Sequence, residues 1–225
     1  MCAVVNDKLK QGSITMKMLA NTPYIDKLVS VYRYRQEEYL MAQSSAFLQQ
    51  LGKDLKFSTY THVGFCTSVN IASDVAVLPG PECEKGNYWT AVVINALDGQ
   101  ILYGDSMGYP PPCELIEAVW WWLQVHIENG KFLVQELPCM EQKDSFSCSI
   151  ISINGIAHHF NPDFFLLLEN GQEALNACIG YVNNSIELAK RLVSWQWRHE
   201  SNSTYKLIRF LQWVFWWKRT SNWAW

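Results

Sequence analysis

The order of elements legible in the sequence predicts an α+β fold, and three observations carry that prediction. "YWTAVVINALDGQILYGDSMG" places two β-rich runs on either side of Asp98-Gly99, a dipeptide that tolerates positive φ and so suits a tight hairpin. "CELIEAVWWWLQVHIENGK" carries apolar residues at 115, 116, 119, 120, 123 and 127, after three prolines and before Gly130, which reads as a helix stopped by glycine. "KFLVQELP" is then a short strand closed by Pro138, and "SCSIISINGIAHHF" begins a further helix at about Ser147, despite its β-branched residues.

Upstream of these, residues 22 to 51 space Ile25, Leu28, Val29, Tyr32, Leu40, Phe47 and Leu48 as amphipathic helix does, and predict one or two helices. The end of the chain differs, because seven of the eleven tryptophans lie between Trp195 and Trp225. We divide the chain into one compact domain over residues 20–190 and a tryptophan-rich C-terminal extension over 191–225. The extension reads as a docking helix, an oligomer contact or a loosely held tail. Trp120, Trp121 and Trp122 cannot share one helix face, so at least one of them is exposed or covered by another segment.

Composition narrows the function classes. With 49% apolar residues and a formal charge of -3, the chain is a folded globular protein without the basic face that a nucleic-acid partner requires. No apolar run approaches the ~20 residues of a membrane span, so none is expected. The seven cysteines, at 2, 66, 83, 113, 139, 148 and 178, form an odd set without paired short spacings, and the N-terminus lacks the apolar core of a signal peptide. Reduced thiols and a nuclear or cytoplasmic location follow. Cys139, Cys148, His158 and His159 match none of the compact zinc spacings, and neither metal nor organic cofactor is expected. The oligomeric state is left open.

Cys148 stands apart from the other thiols, which read as small buried hydrophobes. A thiol attacks a carbonyl as thiolate, and a helix N-terminus or an imidazolium lowers its pKa from about 8.5. Cys148 falls where a helix begins. Gln142, six residues earlier on the approaching loop, can turn its amide towards an oxyanion, and Asp105, at the end of the second hairpin strand, can orient a base held on the first.

In order and spacing, "YW", "YGDS" and "QKDSFSC" resemble the ubiquitin-like-protein (SUMO) proteases, papain-related cysteine peptidases, over residues 60 to 160. The resemblance implies a papain-like fold, with helices against a central mixed sheet, and hydrolysis after the Gly-Gly tail of a ubiquitin-like modifier of SUMO type or of its conjugates. It assigns Cys148 as nucleophile, Gln142 as oxyanion donor, Asp105 as orienting acid and Trp89 as a wall of the channel for the glycine tail.

The sequence departs from that pattern at Tyr88, which stands where the family has its catalytic histidine, and beside the nucleophile, where Ser147 replaces aspartate and Ser149 replaces glycine. A phenol with pKa near ~10 stays protonated at neutral pH and neither takes the thiol proton readily nor stabilises a thiolate. His62, which reads as preceding the strands, is the one alternative base to test. His158 and His159 lie about 15 Å or more along the helix, and His126 reads as a surface or capping residue. Three readings stay open: a thiol peptidase or isopeptidase, a pseudoprotease that binds a ubiquitin-like protein, and a decayed copy of such a gene.

Overall fold

A computed structural model describes residues 2–11, 16–72, 75–79, 86–127, 130–145 and 147–173, with residues 176, 179, 180, 183, 186, 187 and 190. The chain divides into two units, Met1–Val182 and Asn183–Trp225. In the second, Lys190 pairs with Glu187 at 2.6 Å; the tryptophan-rich stretch 191–225 lies outside the described residues.

The first unit is built on a mixed sheet. Strand β1 (Lys17–Ala20) pairs parallel with β2 (His62–Ala72), and β2 pairs antiparallel with both β3 (Val75–Val77) and β4 (Tyr88–Asn95). The hairpin partner β5 (Gln100–Gly104) is antiparallel to β4 and parallel to the edge strand β6 (Leu133–Glu136). Gly99 takes a φ of 62° in the β4–β5 turn, as the Asp98-Gly99 signal predicts, although the turn has four residues.

Besides α1 (Cys2–Gln11), whose Asn6 side chain bonds the backbone of Leu19 in β1, helices cover the sheet in two groups. Helices α2 (Thr22–Tyr34), α3 (Ala46–Lys56) and α4 (Cys113–His126) share one apolar cluster with Val63, Phe65, Val92, Ile94, Ile101 and Tyr103 of the strands. Each buries residues at helical spacing: Ile25, Leu28 and Val29; Leu48, Leu51 and Leu55; Leu115, Ala118, Val119 and Trp122. Arg33 fixes α2 to α4 with a forked pair on Glu114, at 2.5 and 2.6 Å. Of the three consecutive tryptophans, Trp122 is wholly buried and Trp120 is exposed.

Helix α5 (Cys148–Phe160) is buried almost throughout and lies against β4 and β2. Glycines admit it: a Cβ on Gly64 of β2 would run into Ile156, and one on Gly155 of α5 would lie 2.8 Å from the Cys139 sulfur. The same sulfur would meet a Cβ on Gly104 of β5 at 2.5 Å, so Cys139 is clasped between strand and helix. At its far end α5 is tied down by Lys17, whose ammonium donates to the Phe160 carbonyl at 2.8 Å.

Two sequence expectations are corrected here. His62 does not precede the strands; it is the first residue of the eleven-residue β2. His126 is neither exposed nor a cap: only 7% of it reaches solvent, its Nε2 lies 2.9 Å from the Tyr39 hydroxyl, and it stacks edgewise on Trp122. A Cβ on Gly52 of α3 would collide with its ring.

Candidate functional site

The β4–β5 hairpin and the start of α5 bring the sequence-predicted residues to one end of the sheet. Cys148 is the first residue of α5 and packs with Tyr88 at the start of β4, together with Val69, Ala76, Trp89 and Tyr109. Ser152, one turn further along α5, donates to the Trp89 carbonyl at 3.0 Å and so fixes the helix against the strand. Asp105 follows the last residue of β5 directly, and Gln142 is anchored beside it by a bond from its N–H to the Ser106 carbonyl at 2.7 Å.

The side chains form a connected network. The Tyr88 hydroxyl lies 3.1 Å from Asp105 Oδ1 and 2.6 Å from Ser106 Oγ. Ser106 Oγ donates to Gln142 Oε1 at 2.9 Å. Since the serine proton goes to Gln142, the single phenol proton is shared between Ser106 and Asp105, and Tyr88 acts as a donor. Asp105 also accepts from the Tyr103 hydroxyl at 3.2 Å and from the Met107 N–H at 2.8 Å.

Tyr88 thus stands beside Asp105 as a hydrogen-bond donor. Burial, reinforced by the Asp105 charge, pushes its pKa above the ordinary phenol value, while the bond with Ser106 opposes this. Burial likewise raises the Cys148 thiol; backbone N–H groups of Trp89, Ser149 and Cys148 itself pull it back, and the Asp144 charge raises it. The balance favours thiol over thiolate at neutral pH.

The described histidines lie away from Cys148. His62 pairs with Asn95 while Val69 pairs with Tyr88, which separates His62 from the site by seven strand residues, about 23 Å. It lies instead near the C-terminal end of α5, its ring 5.6 Å from that of His159, and so fails as the alternative base. His158 bonds the Phe165 carbonyl at 2.8 Å, and His126 is sealed between α3 and α4. His199 lies outside the described residues.

The amide of Gln142 is held differently from the sequence expectation. Its Nε2 donates to the Asp144 carbonyl at 2.5 Å and lies 3.4 Å from Asp144 Oδ1. The Asp144 carboxylate in turn accepts from the N–H of Ser147 at 2.7 Å and from its hydroxyl at 2.6 Å. Ser106 and Asp144 are the residues that sequence reasoning passed over. Each lies inside a quoted motif, but only the folded chain shows what it joins. The remaining thiols are dispersed: Cys66 and Cys139 are pushed up by burial, Cys139 to about 12, and Cys113 is exposed rather than buried. Cys83 and Cys178 lie outside the described residues. No group of three or more potential metal ligands occurs among the described residues, and no described helix is long and apolar enough to cross a membrane.

No protein-family model matches the sequence, and no curated protein matches it. Solved structures do resemble the fold. The C-terminal protease domain of Ulp1 in complex with Smt3, the yeast orthologue of SUMO, aligns over 79% of this chain and 72% of its own at 12% identity, with a TM-score of 0.52. The SUMO protease Ulp1 with its catalytic cysteine oxidised to a sulfonic acid aligns over the same shares at 11% identity, with a TM-score of 0.51. A de-sumoylating protease aligns over 77% of this chain and 61% of its own at 16% identity, with a TM-score of 0.48. The fold is therefore that of the Ulp1-type cysteine proteases, with helices on a mixed central sheet.

Proposed function

We propose that this protein is a ubiquitin-like-modifier-binding module on a cysteine-peptidase scaffold, in which the glycine tail of a SUMO-type modifier reaches Cys148 but is hydrolysed poorly. The observation that carries this reading is Tyr88: a protonated phenol, bonded to Asp105 and Ser106, packs with the thiol where a histidine would be needed. Thiol acylation requires a group that removes the sulfhydryl proton and returns it to the leaving amine, and a buried phenol does neither at neutral pH. In this reading Asp105 keeps an acid's position with no imidazole to orient, Trp89 walls the tail channel, and Gln142 serves an oxyanion only if its amide leaves the Asp144 carbonyl. The Ulp1 domain solved with Smt3 supports a ubiquitin-like partner. The five described cysteines are free thiols, which suits a nuclear or cytoplasmic setting.

A second reading, a slow thiol peptidase or isopeptidase, is favoured by the placement of Cys148 at the first position of a thirteen-residue helix with backbone N–H groups turned to its sulfur. One experiment separates the two. SUMO-type vinyl sulfone should label wild-type Cys148 slowly and the Tyr88→His variant about 10²-fold faster, the gain that a positioned general base brings. Rapid labelling and turnover by the wild type would establish the enzyme instead. Failure of the wild type to bind a modifier with an uncleavable tail would remove both readings.

A further inference from the structure

We infer that Asp144 tunes the reactivity of Cys148 beyond what burial does: its carboxylate bonds Ser147 just before the sulfur, its carbonyl holds the Gln142 amide, and its negative charge lies at the start of α5. The inference deepens the proposed function, and rests on it in taking Cys148 as the sulfur that meets the modifier.

The geometry is specific to this residue. Both carboxylate oxygens of Asp144 bond Ser147, the residue just before the sulfur, at 2.7 and 2.6 Å. The Gln142 amide is turned to the Asp144 carbonyl at 2.5 Å, so one residue governs the helix start and the amide together. A helix N-terminus carries partial positive charge, which would stabilise a thiolate at its first residue. A carboxylate bonded there offsets that field where it would otherwise act on Cys148. The apolar cluster that contains Cys148 is neutral: Val69 and Ile71 from β2, Ala76 from β3, Leu78 just after that strand, Tyr88 and Trp89 from β4, and Tyr109. Asp105 stands behind Tyr88, one hydrogen bond further away, and the loop neighbours Glu141 and Lys143 are exposed. Asp144 is therefore the carboxylate at the start of the nucleophile's own helix.

Asp144→Asn removes the charge while keeping one acceptor oxygen for the Ser147 N–H. The test follows alkylation by iodoacetamide against pH, read on the Cys148 peptide by mass spectrometry so that the other thiols do not interfere. Asp144→Asn should lower the midpoint by about half a unit to one unit and raise the neutral-pH rate about threefold to tenfold. Asp144→Ser, which also keeps an acceptor, should move in the same direction, and Glu141→Gln should move little. An unchanged or raised midpoint in both Asp144 variants would overturn the inference, and so would an equal shift from Glu141→Gln. Loss of cooperative unfolding in both Asp144 variants would make the residue a structural cap alone, which also overturns it. Alkylation needs no modifier, so a failure of the modifier reading would leave the predicted shift standing.

Discussion

At the scale of single residues, one phenol ties the candidate site together. Tyr88 fills the space beside Asp105, and its hydroxyl satisfies two acceptors that burial would make costly to leave bare. Tyr88→Phe should therefore destabilise the protein by about 1–2 kcal/mol in urea unfolding, because Asp105 and Ser106 each lose a partner. An unchanged midpoint would mean that water or a shifted Ser106 replaces the hydroxyl. The candidate residues were legible in sequence because their order and spacing lie within short stretches: Tyr88 with Trp89, Asp105 six residues after Gly99, and Gln142 six before Cys148. The bonds between them were not, since Ser106 and Gln142 stand 36 residues apart and meet only through the fold.

At the scale of elements, the misplacement of His62 has a physical cause. Strand β2, "HVGFCTSVNIA", is buried from His62 to Val69, so it lacks the alternation of a strand with one wet face and includes glycine, serine and threonine that read as loop. β1 is only four residues long and gains its identity from β2. The hairpin was legible from Asp98-Gly99 and α4 from the three prolines before it, although α4 ends at His126, ahead of Gly130.

Burial at the element ends also sets a pH dependence. His62 at the start of β2 and His126 at the end of α4 are each held down to about 4, chiefly by burial, with nearby lysines adding to it. Their unfolded values lie near 6.5, so between about pH 6.5 and 4 the unfolded chain binds more protons than the folded one. The stability these two groups contribute is present above pH ~6.5 and is lost as the pH falls through about 4. Urea midpoints should accordingly drop with acidification across that window, and less steeply in His62→Gln; an equal slope in that variant would assign the effect to other groups. Packing between elements is tested separately by Gly155→Ala. Its new methyl meets the Cys139 sulfur, and a loss of about 1–3 kcal/mol is expected from denaturant unfolding.

At the scale of the whole molecule, the first unit joins segments distant in sequence: β1 completes a sheet whose other edge is β6, and α5 crosses β2 and β4 between them. Only this closure brings the start of β4, the end of β5 and the first turn of α5 to one place. The bond from Lys17 to the Phe160 carbonyl spans 143 residues of sequence. Contacts of such separation close large loops before they repay the entropy, so the chain should fold slowly for its size, and this clasp should form after the barrier rather than before it. In stopped-flow experiments Lys17→Met should then hasten unfolding while leaving the refolding rate nearly unchanged; a slowed refolding limb would put the clasp in the folding nucleus. Strand β1 would in this way act as a late latch on the helix that carries the thiol, and the lifetime of the assembled site would depend on a lysine at the opposite end of that helix.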